Sequence, residues 1–219
     1  MPIAVLLLLF NVFLLPGAEV APRPAPMLEA MKAELDRSVK EFQKLPQPPY
    51  FLSYEVTESD SLVVTGSFGT LSSSRSERRR DLDIDLRVGS FELDNTRQIR
   101  GSMEVLLDRA APPVQMPVDD DSAAIRALLW YHTDQKYRRA LERLASVKTN
   151  LKTKTENTDK AGDFSPTAPE RTLESLATRR TADRTAWEAK VRKYTEPFRR
   201  FGNIYQANAT LSQDIETRW

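Results

Sequence analysis

The chain contains no cysteine. That excludes disulfides and thiol catalysis, and it removes every zinc site built on cysteine. It does not identify the compartment, because exported proteins need not carry disulfides. Histidine is almost as scarce: His132 is the only one. An excess of charge of one sign is also lacking. With 32 basic and 31 acidic residues the net charge is +1, so no global field recruits nucleic acid or anionic lipid. What the chain does have is 29% charged residues and 14 prolines, which mark some segments as linkers. Its 219 residues suffice for one domain or one and a half.

There is one long apolar run. Ala4–Leu15 is apolar apart from Asn11, and Pro16-Gly17-Ala18 closes it with a helix break and a small residue. The run is short for a bilayer span but suits the core of a signal peptide. No Lys or Arg precedes it, so the usual positive leader is missing. We read residues 1–21 as an export signal, cleaved after Ala18 or Ala21, that sends the chain to the periplasm or outside the cell. An uncleaved anchor or a mis-assigned start are the alternatives. After cleavage no stable membrane insertion is expected, and Val20–Pro26 is an extended leader.

Arg80–Asn95 is the most informative stretch. Leu82, Ile84, Leu86 and Val88 alternate with Asp81, Asp83, Asp85 and Arg87, the period of a half-buried strand. After Gly89 the apolar phase shifts by one to Phe91 and Leu93, which predicts a β-bulge. Asp94-Asn95 is a turn signal. Tyr50–Glu58 and Leu62–Leu71 are two further strands, and the short Glu58–Ser61 connection predicts a hairpin between them. Ser72–Arg80 reads as a polar, basic lead-in, and Ser102–Leu107 as one more strand.

Met27–Lys44 is an amphipathic helix with Leu28, Met31, Leu35, Val39 and Phe42 on one face. Pro46, Pro48 and Pro49 end it. A second helix runs from Ser122 to Lys148, acidic at its start and basic at its end. Ile125, Leu128, Leu129, Ala140, Leu144 and Val147 line its broad face, widened by Trp130, Tyr137 and Leu141. Residues 149–184 read as a linker, with a helical turn around Leu173–Ala177. Thr185–Glu188 fits a capping box. Trp187, Val191, Tyr194, Phe198 and Phe201 then recur at helical spacing, with Pro197 interrupting the bonding. Ile204–Ile215 alternates as a strand. The predicted fold is α+β, a mostly antiparallel sheet packed with amphipathic helices over residues 22–148. Residues 185–219 are expected to be the first helix and strand of an incomplete second domain.

Few residues qualify as a site. His132 lies between apolar helix positions and has no second histidine as a partner, so a packed or hydrogen-bonded role is the simpler reading. Asp81, Asp83 and Asp85 share a strand face and invite a weak calcium site, but a solvated face paired with Arg78–Arg80 explains them better. Asp119–Asp121 reads as helix capping before it reads as a metal cluster. Ser74–Arg80 lacks the interleaved aromatics of a nucleic-acid surface. Asn208-Ala209-Thr210 is a glycosylation sequon inside a predicted strand. Serine–histidine–aspartate catalysis has only His132 to work with, and no serine sits in a nucleophile elbow.

Several pieces together resemble the N-terminal half of the TldD/PmbA family of zinc metallopeptidases, known as modulators of DNA gyrase. They are Pro48-Pro49-Tyr50 with LSYEV, Phe68-Gly69, Arg87-Val88-Gly89 through Asp94-Asn95-Thr96, Asp119–Tyr137, Asp163–Pro166 and Trp187–Phe201. No single piece is diagnostic; their order carries the resemblance. It implies a bacterial protein whose peptide hydrolysis uses an HExxxH helix and a further ligand in a C-terminal half. This chain holds no such motif, so we assign it no catalytic, cofactor-binding or metal-ligating residue, and zinc is expected only in the absent half. The resemblance also implies a homo- or heterodimer with a TldD/PmbA-like protein, and a role in scaffolding and peptide guidance. The alternative is a non-enzymatic exported interaction protein that binds a full-length relative or extended peptides along a sheet edge.

Overall fold

A computed structural model describes residues 25–99, 112–152, 161–168 and 182–219. The predicted signal segment, the strand expected at Ser102–Leu107 and the turn expected around Leu173–Ala177 lie outside the described residues.

The alternating pattern builds a long hairpin. β1 (Pro49–Ser67) pairs antiparallel with β2 (Thr70–Val88) along nearly their whole length, about 60 Å at the rise of an extended strand. The turn is Phe68-Gly69, and both residues have positive φ, 46° and 74°. That geometry matches the right-handed twist of the flanking strands, and glycine adopts it without penalty. The hairpin turn expected at Glu58–Ser61 is therefore corrected. Those residues continue β1, and the supposed lead-in Ser72–Arg80 is strand. Serine and arginine are weak strand formers, but the ladder to β1 overrides that preference.

The bulge expected at Gly89 is also corrected. β2 stops at Val88, and Gly89, at φ 123°, turns the chain back on itself. An added Cβ there would lie 2.4 Å from the Leu93 carbonyl oxygen. The returning Asn95 takes the Val88 N–H on its Oδ1 at 2.6 Å and donates its own N–H to the Val88 carbonyl at 3.2 Å. Phe91 and Leu93 thus belong to a tight turn. The ladder irregularities fall at Pro49/Phe51 and Thr65/Gly66 instead.

Among the described residues two more strands extend the antiparallel sheet, in the order β3-β2-β1-β4. β3 (Val114–Met116) meets β2 through Arg80–Leu82. β4 (Asn208–Arg218) meets β1 through Thr57–Ser67. Beyond β4, Trp219 exchanges two backbone hydrogen bonds with Val56, at 3.0 and 3.1 Å.

Among the described residues three α-helices pack on one face. α1 (Pro26–Phe42) and α2 (Ser122–Lys152) cover the end of the hairpin away from its turn. Met27, Met31, Phe42, Val56, Leu82, Ile84, Leu86, Val88, Ile125, Leu129 and Leu144 form the main core there. α3 (Arg184–Thr195) covers the turn end, where a smaller core joins Leu62, Val64 and Val191 to Leu71, Trp187 and Leu211. The helix and strand of residues 185–219, expected to begin a second domain, thus pack on this same sheet. They need no core of their own because the hairpin supplies the other half.

The helix faces differ from expectation in informative ways. On α1, Glu34 and Ser38 are buried, while Leu28 and Val39 are each 40% exposed. Polar partners explain the rotation. Glu34 is paired with Arg37 and with Arg126 of α2, and the Tyr54 hydroxyl donates to Ser38 Oγ at 3.4 Å and bonds Thr133 of α2 at 2.8 Å. On α2, Trp130 is 53% exposed and does not widen the buried face. The N-cap of α3 is Asp183, whose carboxylate accepts from the backbone of Thr185 and Ala186, so Thr185 is not the cap. Pro197 ends α-helical bonding as expected, and Glu196–Arg200 tightens into a 3₁₀ turn.

Candidate functional site

Strand parity sorts the basic run at Ser74–Arg80. Even positions face the helices and odd positions face away. On the helix face, the buried Glu58 carboxylate receives Arg80 Nε at 2.6 Å and an Arg78 Nη at 2.9 Å. The other nitrogens of Arg80 reach Asp120 Oδ1 at 2.6 Å and the carbonyls of Pro117 and Asp119 at 3.1 and 3.3 Å. The Trp219 ring lies 5.8 Å from its guanidinium carbon. This network sits between the two cores and ties β1, β2, the entry to α2 and the end of β4 to one cation. With its donors occupied, Arg80 acts as a structural fastener.

A second polar junction closes the other end of the hairpin. Asp163 accepts the Asp94 N–H at 2.8 Å and Arg97 Nε at 2.7 Å. The Phe164 N–H donates to the Phe91 carbonyl at 3.0 Å. The Arg87 guanidinium stacks over Phe164 at 3.4 Å and lies 4.8 Å from the Phe51 ring. Tyr50 donates its hydroxyl to Asp94. Burial, with this acceptor adding to it, pushes the Tyr50 phenol well above the usual tyrosine range. Residues 161–168 are thereby strapped to the far end of the sheet.

Away from both junctions, the face opposite the helices is polar. Glu55 and Asp83 are direct cross-strand partners, with Asp81 and Asp85 flanking on β2. Asp81 pairs with Arg79 and Asp85 with Arg87. A shallow depression on this face is lined by Ser59, Ser61, Glu77, Arg79, Asp214 and Glu216, among others. Among the described residues no strand pairs with the outer side of β4, of Pro49–Glu55 or of Thr70–Arg79. Such edges leave backbone N–H and C=O groups free to accept an extended chain.

The residues singled out in the sequence do not converge. His132 is half-buried on α2 with its ring edge-on to Tyr131 at 5.0 Å. Burial and then the Arg139 charge hold its pKa below the usual histidine range. Asp121 caps α2, accepting from the backbone of Ala123 and Ala124 at 2.9 and 3.0 Å, while Asp120 serves Arg80. Asn208 is exposed at the start of β4. Among the described residues no three His, Asp or Glu side chains gather as a metal site. Sequence reasoning missed Glu58 and Arg80, although Arg80 is in phase with Leu82, Ile84 and Leu86. It also missed the docking of Asp163 and Phe164, for which no local pattern exists. Compared with known proteins, the chain matches no family model, no curated protein and no solved structure.

Proposed function

We propose that this chain is the N-terminal, non-catalytic part of a TldD/PmbA-like metallopeptidase, exported by its bacterial cell. It provides scaffold, dimer contacts and guidance for extended peptides, and the hydrolysis belongs to a metal centre in a C-terminal half. One observation carries the reading. Sequence pieces that resemble the family, though far apart in the chain, meet at one place: Tyr50, Arg87, Asp94 and the Asp163-Phe164 pair share one hydrogen-bonded and stacked junction. The strand edges that no described residue pairs with support peptide guidance, since an extended peptide adds to an edge through its main chain.

The test is the mass of the native protein in its source cells. A species of about 50–60 kDa, the size of two domains or more, with an HExxxH helix in the added part, supports the reading. A native species of the size of this chain counts against it. Chelator-sensitive peptide hydrolysis by the purified chain overturns the non-catalytic role. In the second reading the chain is a non-enzymatic interaction protein that holds a full-length relative or an extended peptide on its sheet. The long β4 edge favours it, and capture of such a partner in the absence of any peptidase activity distinguishes it.

A further inference from the structure

The aromatic series at the end of α3 does not form a core. Val191 and Thr195 are buried against the hairpin, but Tyr194 is 56% exposed, Phe198 38%, Phe201 53% and Tyr205 92%. The cause is local. Pro197 ends α-helical bonding, the next residues follow a 3₁₀ path, and the change in angular step takes the later aromatics off the face that Val191 begins. Four exposed aromatics within twelve residues exceed the scattered apolar exposure of an ordinary surface.

Their position is fixed. Thr195 Oγ1 accepts the Gly69 N–H at 2.8 Å, Arg199 Nε reaches the Phe68 carbonyl, and Ser67 donates to the Ala207 carbonyl at 2.8 Å. The aromatics therefore cluster at the turn end of the long hairpin, remote from α1 and α2. The surface is open here: a Cβ added at Gly202 would meet no atom within 4 Å among the described residues. Its charge differs from that of the whole chain. Lys190, Arg192, Lys193, Arg199 and Arg200 are all exposed, against the single carboxylate of Glu196 in the same stretch. A protein of net charge +1 thus carries a local surplus of positive charge on its aromatic tip.

We propose that this tip docks on an anionic lipid surface. Phe and Tyr rings favour the headgroup boundary, and flanking Lys and Arg add attraction to acidic headgroups. An open tip with rings spread along an irregular backbone can sink into a deformable surface without a matching groove. The like charge of two tips opposes their self-association.

The test uses the whole chain with vesicles of phosphatidylcholine, alone or with about one-third phosphatidylglycerol. The expected result is tighter binding to the acidic vesicles, weakened by salt, and slower amide exchange at residues 194–205 when they are present. Phe201→Ser with Tyr205→Ser should lower the affinity about tenfold, and so should Arg192→Gln with Lys193→Gln. All four side chains are exposed, and an unchanged circular dichroism spectrum checks the fold. The apolar N-terminal run is common to every variant, so binding through it would leave the variants equal and the exchange at 194–205 unaltered. Either of those results overturns the proposal. It is also overturned if the tip variants abolish a concentration-dependent dimer while lipid binding is absent.

Discussion

Glu58 and Arg80 stand directly opposite each other on β1 and β2, joined at 2.6 Å with both side chains at most 2% exposed. Breaking the pair removes a charge-assisted bond at a buried site, although Asp120 and two carbonyls still hold the Arg80 guanidinium. Glu58→Gln should lower stability by about 1.5–3 kcal/mol, read as a fall in the urea midpoint. Replacing both residues with apolar ones of similar size should cost less than the single change. Equal costs would show that the ion pair itself matters little.

Glu55 and Asp83 form the opposite case, two carboxylates facing each other on the open side of the sheet. Like charges in direct cross-strand register destabilise a hairpin. Asp83→Lys should therefore raise stability by about 0.2–1 kcal/mol at low salt, with the gain shrinking as salt is added. A loss of stability would mean that Glu55 and Asp83 do not repel each other across the ladder.

Tyr50 supplies a pH prediction. Its phenol titrates higher in the folded chain than in the unfolded one, through burial and then its bond to Asp94. Burial also raises Tyr54 and Tyr137. Their stabilising contribution is complete below the unfolded tyrosine value of about 10 and is lost as pH rises above it. An absorbance titration should show part of the phenolate signal delayed above pH ~10 and released on unfolding. Tyr50→Phe should shrink the delayed fraction; an unchanged fraction would refute the assignment.

Asp163 joins residues 161–168 to the Gly89–Arg97 turn through Arg97 and the Asp94 N–H. Asp163→Ala strands both donors and should cost about 1–3 kcal/mol. Amide exchange at Asp94 and Phe164 should rise well before exchange in the β1–β2 ladder. Uniform acceleration across the sheet would show instead that the strap and the hairpin open as one unit.

Gly66 is a close-approach position. An added Cβ would lie 2.5 Å from both the Thr70 carbonyl oxygen and Val191 Cγ1. Gly66→Ala should loosen α3 from the hairpin, costing about 1–3 kcal/mol, with greater protease cleavage within 184–200 as the readout. Unchanged cleavage would place the strain within the hairpin alone.

The sequence by itself determined the type of the three helices and of the strongly alternating strand segments. Period-two alternation at Leu82–Val88 and helical spacing in Met27–Phe42 and Ile125–Val147 are local signals, since each residue's face follows from its own spacing. Local spacing also announced the end of α3 at Pro197. Only the tertiary structure decided the rest. Ser72–Arg79 has no apolar alternation, and it is strand because β1 supplies its ladder. Glu34 and Ser38 are buried on α1, and Leu28 and Val39 are not, because Arg126 of α2 and Tyr54 of β1 offer polar partners that no one-helix pattern can reveal. β4 joins the hairpin and not a separate core, since strand pairing is non-local and its partner, Thr57–Ser67, lies some 150 residues earlier. The junction of Arg87, Asp94 and Asp163 arises in the same way. Its parts become neighbours only after the chain has closed on itself.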